Sequence, residues 1–149
     1  MTRLARFTAI AAALTLSLTG AGSALAYPGQ GSERGVFNAT KQTTSKIAKA
    51  LDLDPRCIRV RQAKAYAAWA WVGPTYRMGC DHQLDDALIM VKGNDKVWRD
   101  SGISGDNVYS CELLERNMML YVEDQPQRIQ KLTRQAYRDF KVAGYCEMP

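Results

Sequence analysis

A single histidine, His82, is all the imidazole in this chain of 149 residues, and that scarcity removes whole classes of chemistry. There is no second histidine for an H-E-x-x-H zinc helix, no G-x-S-x-G elbow for a serine nucleophile, and no glycine-rich phosphate loop. The four cysteines, Cys57, Cys80, Cys111 and Cys146, are separated by 22, 30 and 34 residues, which leaves no C-x-x-C metal or redox motif. Past the N-terminal segment no apolar run approaches the roughly 20 residues that a membrane-spanning helix needs. Strong charge is missing too: the formal net charge is +5, too mild a bias for a dedicated nucleic-acid binder. No cofactor is expected, and no metal site.

What is present begins with a targeting signal. Residues 1–26 have a basic start (Arg3, Arg6), an apolar run over 9–18 and an Ala24-Leu25-Ala26 ending, the layout of a cleavable secretory signal peptide. The expected product is secreted, without a membrane span. Removing 26 residues leaves 123, one domain with one core. Arg3 and Arg6 leave with the signal and no acid does, so the net charge falls from +5 to +3. All four cysteines are retained, and an even number in an exported chain points to two disulfides. Residues 27–37 carry three glycines, a proline and almost nothing to bury, the composition of a flexible leader, and 38–149 read as a single domain.

Within that domain the densest signal lies at 66–100, which holds all three tryptophans. A first helix ends by Leu51, before Asp54-Pro55. A first strand over 57–65 presents Arg59 and Arg61 on one side, which suits a sheet edge. A turn near Lys64-Ala65 must follow, although no glycine or asparagine marks it. In 66–72 the period of two places Trp69 and Trp71 on one face, to be covered by helices, and Ala68, Ala70 and Val72 on the other. Gly73-Pro74 closes that strand. The run 87–92 is apolar on both sides, as a central strand is. Gly93-Asn94 or Asn94-Asp95 then makes a two-residue hairpin turn, and 96–100 returns with Val97 inward. After a loop at 101–106, with Asp106 as N-cap, Val108, Cys111, Leu114 and Met118 follow at helical spacing; 118–122 fits helix or strand equally. The last helix starts around Pro126, carries Ile129, Leu132, Ala136 and Phe140 on one stripe, and stops at Gly144.

This order predicts an α+β domain: an antiparallel β-meander of three to four strands packed against N-terminal and C-terminal helices, with two disulfides. Three cysteine connectivities stay open on spacing; Cys80 with Cys111 and Cys57 with Cys146 is the pairing carried forward.

The loop from Gly73 to Cys80 is stiffened by Pro74 and anchored by a cysteine. It offers Tyr76, Arg77 and Met78 as binding residues, with Arg77 or Met78 suited to a protease pocket. On the last helix Arg128, Lys131, Arg134, Arg138 and Lys141 recur every three or four residues, a dock for an anionic polymer. Against this, Asp139 dilutes the ridge and a solvated helix face has the same pattern. Lys131, Arg134 and Arg138 are its central members. His82 beside Asp81, Asp85 and Asp86 is the one constellation that suggests a hydrolase base. Glu112 and Glu115 with Asp106, or Asp81 with Asp85, are carboxylate sets that sequence cannot place across a cleft. Trp69, Trp71 and Trp98 read as core before they read as a sugar-binding strip.

The Ala/Leu-rich leader, Ile58-Arg59-Val60, Trp69-Ala-Trp-Val72, Gly79-Cys80 and Lys96-Val-Trp-Arg-Asp100 together resemble small exported actinobacterial proteins of unknown function. The resemblance is one of layout over 57–111 and carries no catalytic residue with it. The reading is a secreted, disulfide-stabilised, non-catalytic binding or interaction protein of unknown ligand, its partner an extracellular protein or a cell-wall polyanion rather than nucleic acid. The alternatives are a serine-protease inhibitor acting through Arg77-Met78 and a small secreted hydrolase using His82 and a nearby aspartate.

Overall fold

A computed structural model describes residues 34–81 and 83–148. The signal peptide expected at 1–26, most of the leader at 27–37, and His82 lie outside the described residues. Five strands form one antiparallel sheet in simple sequence order: β1 (Val36–Asn38), β2 (Ile58–Ala63), β3 (Trp69–Pro74), β4 (Leu88–Lys92) and β5 (Trp98–Ser104). The helices are α1 (Lys41–Leu51), α2 (Asp106–Tyr109), α3 (Cys111–Tyr121) and α4 (Gln127–Val142). The α+β meander stands, with one strand more than expected. β1 pairs with β2 from Val36 opposite Ala63 to Asn38 opposite Arg61, so β2 is not the edge.

The period-two reading of β3 explains the layering. Trp69 and Trp71 bury against Val108, Leu114, Met118, Ala136, Phe140 and Tyr145 on the face covered by α2, α3 and α4. Ala70 and Val72 point the other way, into a second cluster with Ile47 and Ala48 of α1, Leu88, Met90 and Trp98. The sheet is therefore a middle layer, and Trp98 lies on the opposite face from the other two tryptophans. Trp69 anchors one side by donating from Nε1 to Thr133 Oγ1 at 3.0 Å. Trp71 packs edge-on against Tyr145 with centroids 4.7 Å apart.

Several connections differ from expectation, each for a physical reason. The strand expected from Tyr66 starts at Trp69, because the unmarked turn is longer and is held by distant side chains. Gln62 donates from Nε2 to the Ala67 carbonyl at 2.8 Å, and the Ala65 N–H donates to Asp139 Oδ2 at 2.6 Å. β3 also runs through Gly73 to Pro74, which pairs with Ile58. At the β4–β5 hairpin Lys96 adopts φ 66, with Lys96 N–H bonded to the Gly93 carbonyl and Gly93 N–H to Val97. This three-residue connection replaces the expected two-residue turn and shifts the alternation by one, so Val97 is half exposed and Trp98 is buried. β5 continues to Ser104 past a bulge opposite Ile89 and Met90, where Ser101 Oγ donates to the Ile89 carbonyl at 2.7 Å.

The helix expected from Val108 to Met118 is two helices. Gly105, not Asp106, is the N-cap of α2. Ser110 is extended, caps α3 by accepting from Leu113 N–H, and bridges to Glu147 of the returning C-terminus. α3 runs through Tyr121, which settles 118–121 as helix. Pro126 is the N-cap of α4.

The disulfides are Cys57–Cys80 and Cys111–Cys146, correcting the pairing of Cys80 with Cys111 and Cys57 with Cys146. After β3 the chain passes directly over the start of β2, with Thr75 N–H bonded to the Cys57 carbonyl, so Cys80 meets Cys57 first. Past Gly144, in the left-handed region at φ 76, the tail folds back along Ser110 and delivers Cys146 to Cys111. No helix among the described residues is long and apolar enough to cross a membrane.

Candidate functional site: the cationic face of α4 and the 73–86 loop

Among the described helices α4 has the sharpest division of faces. Thr133, Ala136, Tyr137 and Phe140 are buried against the sheet and α3, while Arg128, Lys131, Arg134, Arg138 and Lys141 are all exposed. Thirteen residues at 1.5 Å each set these five cations along about 20 Å of one helix surface, roughly one per turn. Among the described residues the only ion pairs within 4.0 Å are Arg56 with Asp54 and Arg99 with Asp95, so none of the five has a described carboxylate in ion-pair range. Asp139, expected to dilute the ridge, faces the β2–β3 turn and takes the Ala65 N–H. Glu115 of α3 is likewise turned inward: burial first, then the nearby Glu115 carboxylate, pushes the Tyr137 phenol above its ordinary value.

The loop after β3 is fixed at its stem and exposed at its tip. Thr75 Oγ1 donates to the Arg56 carbonyl at 2.9 Å, and the Cys57–Cys80 disulfide closes the far side with Cα atoms 5.1 Å apart. Tyr76 and Arg77 are exposed and Met78 is 102% exposed. The tip is a tight turn, with Cys80 N–H bonded to the Arg77 carbonyl and Gly79 at φ 85. An inhibitor loop enters a protease cleft as extended backbone, and this turn counts against that use of Arg77-Met78.

These two surfaces are not one site. The loop leaves the sheet where Pro74 pairs with Ile58, whereas the ridge faces away from the sheet. A third feature went unanticipated. A cleft of about 220 Å³ lies between the β4–β5 hairpin and the α3–α4 turn, its lining including Tyr66, Trp69, Asn94, Arg99, Tyr121 and Ile129. Its Arg99 is engaged by Asp95. No cluster of three or more His, Cys, Asp or Glu side chains able to hold a metal ion occurs among the described residues.

Comparison with protein-family models, with curated proteins and with solved structures gives no match.

Proposed function

We propose that the protein is a secreted, non-catalytic, disulfide-stabilised binding module that docks an anionic cell-wall polymer along the outer face of α4. The observation that carries this reading is the exposed row of five cations with no carboxylate in ion-pair range among the described residues, its one internal acid being tied to the Ala65 N–H. An isolated surface cation gains little from one anion in water. A row along a rigid helix meets successive charges of a polymer and gains entropy by releasing the counterions both carry. Four contributions favour this side of the molecule: length, regular spacing, exposure and lack of internal neutralisation.

The test is binding to synthetic polyglycerol phosphate by the disulfide-intact chain. Lys131→Glu, Arg134→Glu and Arg138→Glu together are expected to lower affinity by more than tenfold and to flatten its salt dependence. Unchanged affinity in the triple variant would rule the dock out. A second reading, favoured by the full exposure of Met78 on a pinned turn, is docking of the Tyr76–Met78 tip on an extracellular protein.

A further inference from the structure

On the other face of the sheet, away from α4, the C-terminal half of α1 and the β4–β5 hairpin enclose a groove of about 410 Å³ lined by Lys46, Lys49, Ala50, Lys96, Val97 and Trp98. We propose that this groove binds a single amphiphile with an anionic headgroup, of the long-chain carboxylate class.

Its base is apolar. Val97 is 50% exposed there, Ala50 is exposed, and Trp98 closes the bottom with 5% of its surface showing. The rim is cationic on both sides. Lys46 and Lys49 lie three apart on α1 and so share a helix surface, and α1 contains no acid at all between Lys41 and Leu51. Lys96 supplies the facing ammonium. None of the three has a carboxylate within 4.0 Å among the described residues, and Asp95, the nearest acid in sequence to Lys96, is held by Arg99. Lys92 stands 5.4 Å from the Trp98 ring centroid.

Lys96 is also where the backbone asks for another residue. At φ 66 it occupies the left-handed region, in which an L side chain is strained and glycine is not. A lysine there accepts that strain and delivers a charge to the groove mouth.

The chemistry selects the ligand class. A small inorganic anion leaves Val97 and Ala50 wetted, and an anionic polymer finds three charges around a slot too apolar to follow. An alkyl carboxylate satisfies both parts: its methylenes cover Val97, Ala50 and the lysine stems, and its headgroup sits among the ammonium groups. The ligand stays non-covalently bound.

The experiment is a two-dimensional amide NMR titration of the disulfide-intact chain with laurate below its micellar concentration. Acetate, dodecyltrimethylammonium and anionic phosphatidylglycerol vesicles serve as separate arms. Saturable shifts at Val97 and Ala50 are expected with laurate alone. Lys46→Gln, Lys49→Gln and Lys96→Gly combined should weaken laurate at least tenfold without lowering Tm, and Val97→Asp, a change at an exposed position, should weaken it independently. The Lys131, Arg134 and Arg138 variant should bind laurate normally, so failure of the α4 dock and failure of this site are separately visible. Absence of laurate shifts, an equal response to dodecyltrimethylammonium, a response to vesicles only, or full binding by both groove variants would overturn the proposal.

Discussion

Gly73→Ala is the substitution for which local propensity and tertiary packing give opposite signs. Gly73 sits inside β3, paired with Arg59, and its φ is not in the left-handed region. Propensity alone therefore predicts that alanine would stabilise the strand by about 0.5–1 kcal/mol. Packing predicts the reverse. A Cβ at this position would lie 2.0 Å from Trp71 Cη2 and 2.7 Å from Cζ2 and Cζ3, because the indole folds back over its i+2 neighbour on the same face. The ring has no room to retreat: it meets Tyr145 edge-on at 4.7 Å, and Tyr145, 1% exposed, is itself edge-on to Phe140. Tyr145 is further fixed by the Arg61 Nε donation to its hydroxyl at 2.9 Å. Overpacking of a filled core costs about 1–3 kcal/mol. With the overlap this deep the upper end applies, and after the propensity gain the net expectation is a loss of about 2 kcal/mol, a fall in Tm of about 8–10 °C. Urea melts followed by circular dichroism, with the disulfides intact, measure it. Trp71→Phe removes the atoms that collide and also Trp71 Nε1, the one buried side-chain donor without a partner among the described residues, so the double variant should recover at least about 1 kcal/mol relative to additivity. A Gly73→Ala protein as stable as the parent, or strictly additive behaviour with Trp71→Phe, would refute the account.

The remaining predictions concern covalent and ionic ties. Peptide mapping without reduction should recover Cys57 linked to Cys80 and Cys111 linked to Cys146; any fragment joining Cys80 to Cys111 would contradict the fold. Replacing Cys111 and Cys146 by serine opens a span of 35 residues and should cost about 3.8 kcal/mol on the chain-entropy model, with faster amide exchange at Cys111 and Glu147, whose N–H groups bond across the tail. Asp95 is held well below the usual carboxylate range, first by the Arg99 guanidinium and then by the Val97 N–H. Because its folded value is depressed, the stability it contributes is present above about pH 4, the unfolded value, and is lost as pH falls through the folded one. NMR titration should show the Asp95 carboxyl moving back to the ordinary range in Arg99→Ala; an unshifted Asp95 in the parent protein would remove the argument.

What sequence could disclose here follows the range of the interactions involved. The burial of Trp69 and Trp71 on one face, the central position of β4 and the end of α4 at Gly144 are set by neighbours within a few residues, and alternation or glycine chemistry reveals them. β1 escaped because only Val36 of its three residues is buried, too little to show a period. The break at Ser110 escaped because helical spacing continues across it, and what interrupts the helix is the C-terminal tail 37 residues further on, bridging at Glu147. A single left-handed residue, Lys96, exchanged Val97 for Trp98 at the core. At the candidate site the direction of one side chain is set at the same long range. On a helical wheel Asp139 belongs with the cations around it, and by that reading the ridge is partly neutralised. The β2–β3 turn, lacking a glycine or asparagine of its own, takes that carboxylate from 74 residues away. A structural need of one element thereby turns the carboxylate of another toward itself and leaves the α4 cations without it as an ion-pair partner.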